Sequence, residues 1–545
     1  MNAAEFFVRC LENEGVTEIF GIPGEENIAV MDALLSSPIR FITTRHEQGA
    51  AFMADVYGRL TGKAGVCLAT LGPGATNLVT GFADANMDRA PIVAVAGQGA
   101  TTRLHKESHQ ILDLVNLFAP ISKYSTQIRS ADVIAEIVRK SFKDAQAEKP
   151  GGSFIDFPED IADRLVAEDD FPLKVQSPQT PEAPMSKIKQ AADLISIAKY
   201  PLIMAGNAVL RGSASQQLID FSEKSNIPVA TTFMAKGVIP FSHQNSLGAV
   251  GLQANDYIAC GFDRADLIIC IGYDMVEYHP KLWNPNRDKK IIHIDMMPAE
   301  VDANYILETG VIGEIGHSLD ELKRIVEPQS HFNAGSLRKA IVKEFSQFAD
   351  DQSFPLKPQK IICDLRKVLQ PEDIVVSDVG AHKMWMARMY QAEQPNTCII
   401  SNGFASMGIG VPGAIAAKIA YPDRTALTVT GDAGFLMNSQ EIETALRIGT
   451  PMIILVWTDS EYGLIKWHQM RNYGRESNIK FNNPDFVKYA ESMGAKGYRV
   501  TASEELVPIL QQAIKDDTVV VIDCPVDYAE NMKLTEKLGK LVCPI

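Results

Sequence analysis

The chain has 545 residues, 46% of them apolar and 22% charged, with a formal net charge of -15 at pH 7, a composition that calls for several hydrophobic cores and excludes disordered and fibrous classes. The acidic balance and the lack of a basic run weigh against a nucleic-acid partner, because phosphate backbones require clustered Lys and Arg. No stretch offers ~20 apolar residues for a membrane helix and Met1-Asn2-Ala3-Ala4-Glu5 has no cationic, apolar leader, so a cytoplasmic protein with no membrane partner is expected.

An amphipathic helix over Phe6 to Glu14, followed by the β-branched run Glu18-Ile19-Phe20-Gly21, opens a pattern that recurs along the chain and signals parallel α/β layers. Val66-Cys67-Leu68-Ala69-Thr70, Ile92-Val93-Ala94-Val95-Ala96 and Ser153-Phe154-Ile155-Asp156-Phe157 read as strands buried on both faces. They place a first domain over 1–165. Pro172, Pro178, Pro181 and Pro184 mark an extended linker over 166–185. A central Rossmann-like domain over 186–328 follows, with strands Pro201–Gly206, Leu267–Gly272 and Lys290–Asp295. Its loop Gly206-Asn207-Ala208-Val209-Leu210-Arg211-Gly212 resembles a dinucleotide loop but lacks GxGxxG, so FAD or NAD is not expected. A charged linker over 329–355 leads to a third α/β domain over 356–527, and the tail 528–545 reads as helical, either a mobile flap or a docked surface helix. The eight cysteines form no CxxC pair, and Cys67 and Cys270 lie in apolar runs, which points to core packing rather than zinc or disulfides.

The chemistry concentrates in Thr430-Gly431-Asp432-Ala433-Gly434-Phe435, placed directly after the strand Ala426-Leu427-Thr428-Val429, with Trp457-Thr458-Asp459-Ser460-Glu461 closing the next strand. Two acids at neighbouring strand ends suit a hard cation such as Mg2+, which takes one or two carboxylates together with phosphate oxygens. Gly431 and Gly434 permit close backbone approach to a phosphate, and a helix expected over Ser439 to Arg447 presents N–H groups to an anion. In the first domain, Arg45-His46-Glu47-Gln48-Gly49 puts an acid after the strand Phe41-Ile42-Thr43-Thr44, where a lone glutamate would ordinarily be a helix N-terminal charge.

With Asp459 following Asp432 by 27 residues, the third-domain segment resembles the thiamine-diphosphate signature, Ala433 standing for the usual third glycine and Thr458-Asp459 for paired asparagines. The resemblance implies Mg2+ held by Asp432, Asp459 and the carbonyl of Glu461, with Gly431, Ala433 and Gly434 around the diphosphate. It implies that Glu47 bonds N1′ of the aminopyrimidine ring and so favours the imino tautomer that deprotonates thiazolium C2. The segment Ser401-Asn402-Gly403-Phe404-Ala405-Ser406-Met407-Gly408-Ile409-Gly410 is similar to the family segment that bends the cofactor, with Met407 under the two rings, and with its N–H and the carbonyl of Ala405 on the pyrimidine edge. Gly72, in Leu71-Gly72-Pro73-Gly74-Ala75-Thr76-Asn77, together with His109 and Gln110, matches segments lining the cofactor and substrate side.

From its first helix almost to its end the chain resembles the acetolactate synthase group, and most closely the flavin-free catabolic type, because Asp274 stands where biosynthetic members carry arginine. That implies three domains (pyrimidine-binding, central, diphosphate-binding) and a homodimer or homotetramer whose active sites combine the first domain of one subunit with the third of another. Lys466 and His468, after the metal turn, fall at places uncharged in catabolic members, and Arg103, His105 and Lys106 add positive charge before Gln110. Either Lys466 and His468 form a solvated helix face, or they receive the second carboxylate of a diacid. The second reading leads to the expectation of a 2-oxoglutarate decarboxylase forming succinic semialdehyde, with acetolactate synthesis from pyruvate as the alternative; in both, the partner is a small-molecule 2-oxo acid.

Overall fold

The computed structural model describes residues 1–176, 179–251, 257–329 and 334–531. Three six-stranded sheets succeed one another with helices between their strands, and every pairing within them is parallel. This is the α/β architecture of three Rossmann-like sheets that the sequence leads one to expect.

The first sheet holds β1 (Glu18–Gly21), β2 (Arg40–Thr43), β3 (Gly65–Ala69), β4 (Ile92–Gln98), β5 (Tyr124–Gln127) and β6 (Gly152–Pro158), in the order β2-β1-β3-β4-β6-β5. The central sheet holds β7 (Pro201–Ala205), β8 (Val229–Thr231), β9 (Ser246–Ala249), β10 (Leu267–Ile271), β11 (Lys290–Asp295) and β12 (Thr309–Ile312), in the order β12-β11-β10-β7-β8-β9. The third holds β13 (Ile374–Ser377), β14 (Cys398–Ile400), β15 (Ala426–Gly431), β16 (Met452–Thr458), β17 (Lys496–Arg499) and β18 (Val519–Pro525), in the order β14-β13-β15-β16-β18-β17. The first and third sheets therefore repeat one topology, whereas the central one has the dinucleotide-fold order. In such sheets the crevice for a ligand opens at the C-terminal strand ends where the order reverses. In the third sheet that point lies between β13 and β15, the strand that delivers Asp432.

The inner strands are apolar throughout because both faces are covered: all five residues of β3 and all seven of β4 are buried. Cys67 in β3 and Cys270 in β10 are fully buried free thiols. The helix Glu47–Thr61 of the first unit packs on the helix Gly410–Ala420 of the third, and their alanine-rich faces merge the two cores into one that includes Val56, Ile374, Val376 and Ile415.

Two sequence expectations differ from what is observed. The stretch 329–355, read as a linker, carries the helix Gly335–Ser346, whose Leu337, Ile341 and Phe345 recur at helical spacing and are buried. Phe345 stacks on Phe241 at 5.2 Å between ring centroids. After β15 a helix begins at Asp432 itself (Asp432–Asn438), and the one expected from Ser439 starts at Glu441. Pro178 and residues 532–545 of the tail lie outside the described residues.

Candidate active site

Asp432 is buried at the end of β15, where its carboxylate is saturated by donors. Oδ1 accepts from the N–H of Ala433 at 2.9 Å. Oδ2 accepts from the N–H groups of Asp459 at 3.2 Å and Ser460 at 2.7 Å, and from Nδ2 of Asn483 at 2.8 Å. These bonds tie the end of β15 to the end of β16. Burial raises Asp432 above the usual carboxylate range. Asp459 is pushed up to about 7 by burial and then by the charge of Asp432. Among the described residues no group of three or more His, Cys, Asp or Glu is placed to hold a metal by itself.

Two side chains beside this turn each carry a buried atom without a partner. Nε2 of His382 is one and Oδ1 of Asn483 is another. The His382 ring lies where a Cβ on Gly431 would meet it at 3.3 Å, and burial drives it down to about 3, so that it is neutral at pH 7. A Cβ on Gly434 would lie 3.1 Å from Oδ1 of Asp378. Two adjacent carboxylates with one proton affinity raised by the other, beside a neutral imidazole and an amide oxygen lacking partners, fit a divalent cation bearing an anionic ligand.

Sequence reasoning missed His382 and Asn483. The signal for His382 was its place just beyond β13, the strand beside β15 at the sheet's reversal point. Asn483, in irregular chain 51 residues after Asp432, offered none.

The segment 401–410 is bounded by carboxylates. Asp378, buried at the end of β13, accepts from the N–H of Gly408 at 2.9 Å, from that of Gly410 at 3.0 Å and from the Thr430 hydroxyl at 3.3 Å. Met407 is half-buried, and Ala405 adopts a left-handed backbone with φ 57°. That conformation is uncommon for a residue with a Cβ.

Glu47 opens the helix Glu47–Thr61, is 9% exposed, and accepts at Oε2 from Nδ2 of Asn77 at 2.9 Å. Gly72 precedes the next helix at φ 54°, and a Cβ there would meet Cβ of Gln110 at 2.9 Å. His109 and Gln110 are exposed, as are His105 and Lys106. Arg103 donates to Ser108 Oγ and pairs with Glu159. Glu47 and Asp432 share no hydrogen-bonding partner within the described chain.

The chain matches the thiamine pyrophosphate enzymes in three segments: their N-terminal TPP binding domain over residues 1–117, their central domain over 188–322 and their C-terminal TPP binding domain over 378–524. It is 37% identical over 544 residues to the acetolactate synthase of Bacillus subtilis, covering 98% of this chain and 95% of that protein. It is 34% identical over 547 residues to the catabolic acetolactate synthase of Raoultella terrigena, covering 98% and 97%. It is 36% identical over 561 residues to the probable acetolactate synthase large subunit of Methanocaldococcus jannaschii, covering 99% and 94%.

These names overturn the expectation of a 2-oxoglutarate decarboxylase, and the structure supplies the physical reason. Nζ of Lys466 pairs with Glu461 at 2.5 Å and with Glu476 at 3.5 Å, so its charge is already compensated. Burial lowers its proton affinity, but the two glutamates more than offset that. His468 is held below its ordinary value by burial and by the charge of Arg471. No helix among the described residues is long and apolar enough to cross a membrane. With all three domains matched and 98% of its length covered by named relatives, the chain belongs to the thiamine-diphosphate-dependent enzymes of the acetolactate synthase group.

Proposed function

We propose that the protein condenses two molecules of pyruvate, taking up one proton, into one 2-acetolactate and one CO2. The observation that carries this reading is that Lys466, the lysine that would receive a second substrate carboxylate, already has its charge compensated by Glu461 and Glu476; similarity over nearly the full length to proteins named acetolactate synthase supports it.

Asp432, Asp459 and the carbonyl of Glu461 would hold Mg2+; Gly431, Ala433, Gly434 and the neutral ring of His382 would border the cofactor's diphosphate. Thiamine diphosphate, when bound, supplies a nucleophilic carbon and accepts the electron pair left behind by CO2. Glu47 would keep a proton on N1′ of the pyrimidine, with Asn77 fixing the direction of its carboxylate. Met407 would support the ring pair while its N–H and the Ala405 carbonyl take the pyrimidine edge. Gly72, His109 and Gln110 would border pyruvate.

Two copies of the chain would build each site, Glu47 from one and Asp432 from the other. The exposure of Phe404, Leu436 and Met437 close to the candidate cofactor residues supports such an interface. The flavin-free reading rests on the loop Gly206 to Gly212, which lacks GxGxxG; beside it the buried carboxylate of Glu277 accepts from the Asn207 N–H at 3.1 Å and from Thr232 Oγ1.

Incubation of the protein with Mg2+, thiamine diphosphate and either pyruvate or 2-oxoglutarate tests the reading. One acetolactate per two pyruvates is expected, with 2-oxoglutarate unconsumed. Acetaldehyde without acetolactate, or inert pyruvate, would refute it.

A further inference from the structure

The segment that carries Ala405 and Met407 belongs to the third unit, yet it is gripped by side chains of the first. Oδ2 of Asp88 accepts from the N–H of Asn402 at 3.0 Å, and its Oδ1 accepts from the N–H of Gly403. A Cβ on Gly403 would lie 2.6 Å from that same Oδ1, so only glycine admits the carboxylate. Oδ1 of Asp84 accepts from the Ser401 hydroxyl at 2.6 Å and from the Ser406 N–H at 3.3 Å. Arg59 binds both carboxylates, at 2.9 Å to Asp84 and 2.8 Å to Asp88, pairs with Asp55, and donates to the carbonyl of Ile400 at 3.1 Å. Lys383, buried, faces the two acids from the third unit.

We propose that Asp84 and Asp88, held by Arg59, are positioning residues that set the conformation of residues 401–406 and thereby the aim of the Ala405 carbonyl and the Met407 N–H. The inference rests on the cofactor-binding reading above. Five polar groups within seven consecutive residues end on one buried guanidinium–carboxylate cluster, which is far more anchoring than a connection between a strand and a helix needs. The left-handed Ala405 lies between anchored residues, which hold it in a conformation its Cβ disfavours. Side chains held by packing and hydrogen bonds from outside are what give a site its geometry.

Asp88 is the informative position, because its two carboxylate oxygens take the N–H groups of two consecutive residues of the segment. Asp88→Asn turns one acceptor into a donor facing an N–H group. Ser401→Ala removes one anchor and leaves the cluster intact. Phe142→Ala, in the core on the far side of the first unit, is a destabilising comparison. The full-length protein is titrated with thiamine diphosphate at saturating Mg2+ and followed by tryptophan fluorescence, well below each variant's unfolding midpoint. Asp88→Asn is expected to raise the cofactor Kd at least about tenfold and Ser401→Ala about two- to tenfold, with Phe142→Ala lowering the midpoint at unchanged Kd. Unchanged Kd in both Asp88→Asn and Ser401→Ala would overturn the proposal, and so would an equal rise in Phe142→Ala. Failure of the unmodified protein to bind the cofactor would instead refute the cofactor-binding reading.

Discussion

Asn77 donates to Glu47 across 2.9 Å, and the donor and acceptor belong to different helices of the first unit, so the carboxylate is aimed before any ligand arrives. Glu47→Gln keeps a hydrogen-bonding oxygen for Asn77 but cannot stabilise a protonated pyrimidine. The variant is expected to fold and bind cofactor, while exchange of the C2 proton, followed by NMR after acid quench, and turnover fall at least about a hundredfold. Turnover within a few fold of the unmodified protein would remove Glu47 from its assigned role.

Asp432 receives four hydrogen bonds from groups on the β15 and β16 ends and from Asn483. Asp432→Asn puts a donor among those donors and deletes a charge from the proposed cation site. The Mg2+ concentration needed to retain thiamine diphosphate through desalting is expected to rise by about two orders of magnitude, the scale of a lost charged contact of ~3 kcal/mol. Retention at the original Mg2+ concentration would show that the cation is held elsewhere.

Lys466 is paired to Glu461 and Glu476 on a half-exposed helix, where an ion pair contributes ~0–1 kcal/mol. Lys466→Met is therefore expected to change kcat/KM for pyruvate by no more than about fivefold and to leave 2-oxoglutarate unreactive, as in the unmodified protein. A tenfold or larger loss of pyruvate turnover in steady-state assays would mean that the ammonium touches substrate.

Glu441 accepts from the N–H groups of Arg45 at 3.0 Å and His46 at 3.0 Å, just before Glu47, and burial raises it from the usual 4.5 to about 7. Because the folded chain then binds the proton more tightly than the unfolded one, its contribution to stability is present below pH ~4.5 and is lost as pH rises toward ~7. Glu441→Gln does not titrate. Relative to that variant, the unmodified protein is expected to lose on the order of 3 kcal/mol between those limits, read from denaturant unfolding at stepped pH. Parallel stability profiles for the two proteins would exclude this coupling.

The sequence by itself determined the layers and the acids at two of their strand ends. Apolar β-branched runs bounded by glycine or acid locate β1 and β11 to the residue, because strands buried on both faces must be written as continuous apolar stretches. The same rule marks Asp432 and Asp459 as acids at neighbouring strand ends. The edge strands β5 and β17 lack that signature, since much of their surface is only half-covered and their residues are mixed in polarity. What tertiary structure alone decided are pairings between distant or ambiguous partners. Asp88 reaches Asn402 across 314 positions, and Asn483 reaches Asp432 across 51. The charge of Lys466, which in sequence suits a diacid as well as an exposed helix face, is settled by where the helix Gly463–Tyr473 points it, onto Glu461 and Glu476. A local pattern records how deeply a residue is buried; which group compensates its charge depends on the packing of elements that the pattern does not order in space.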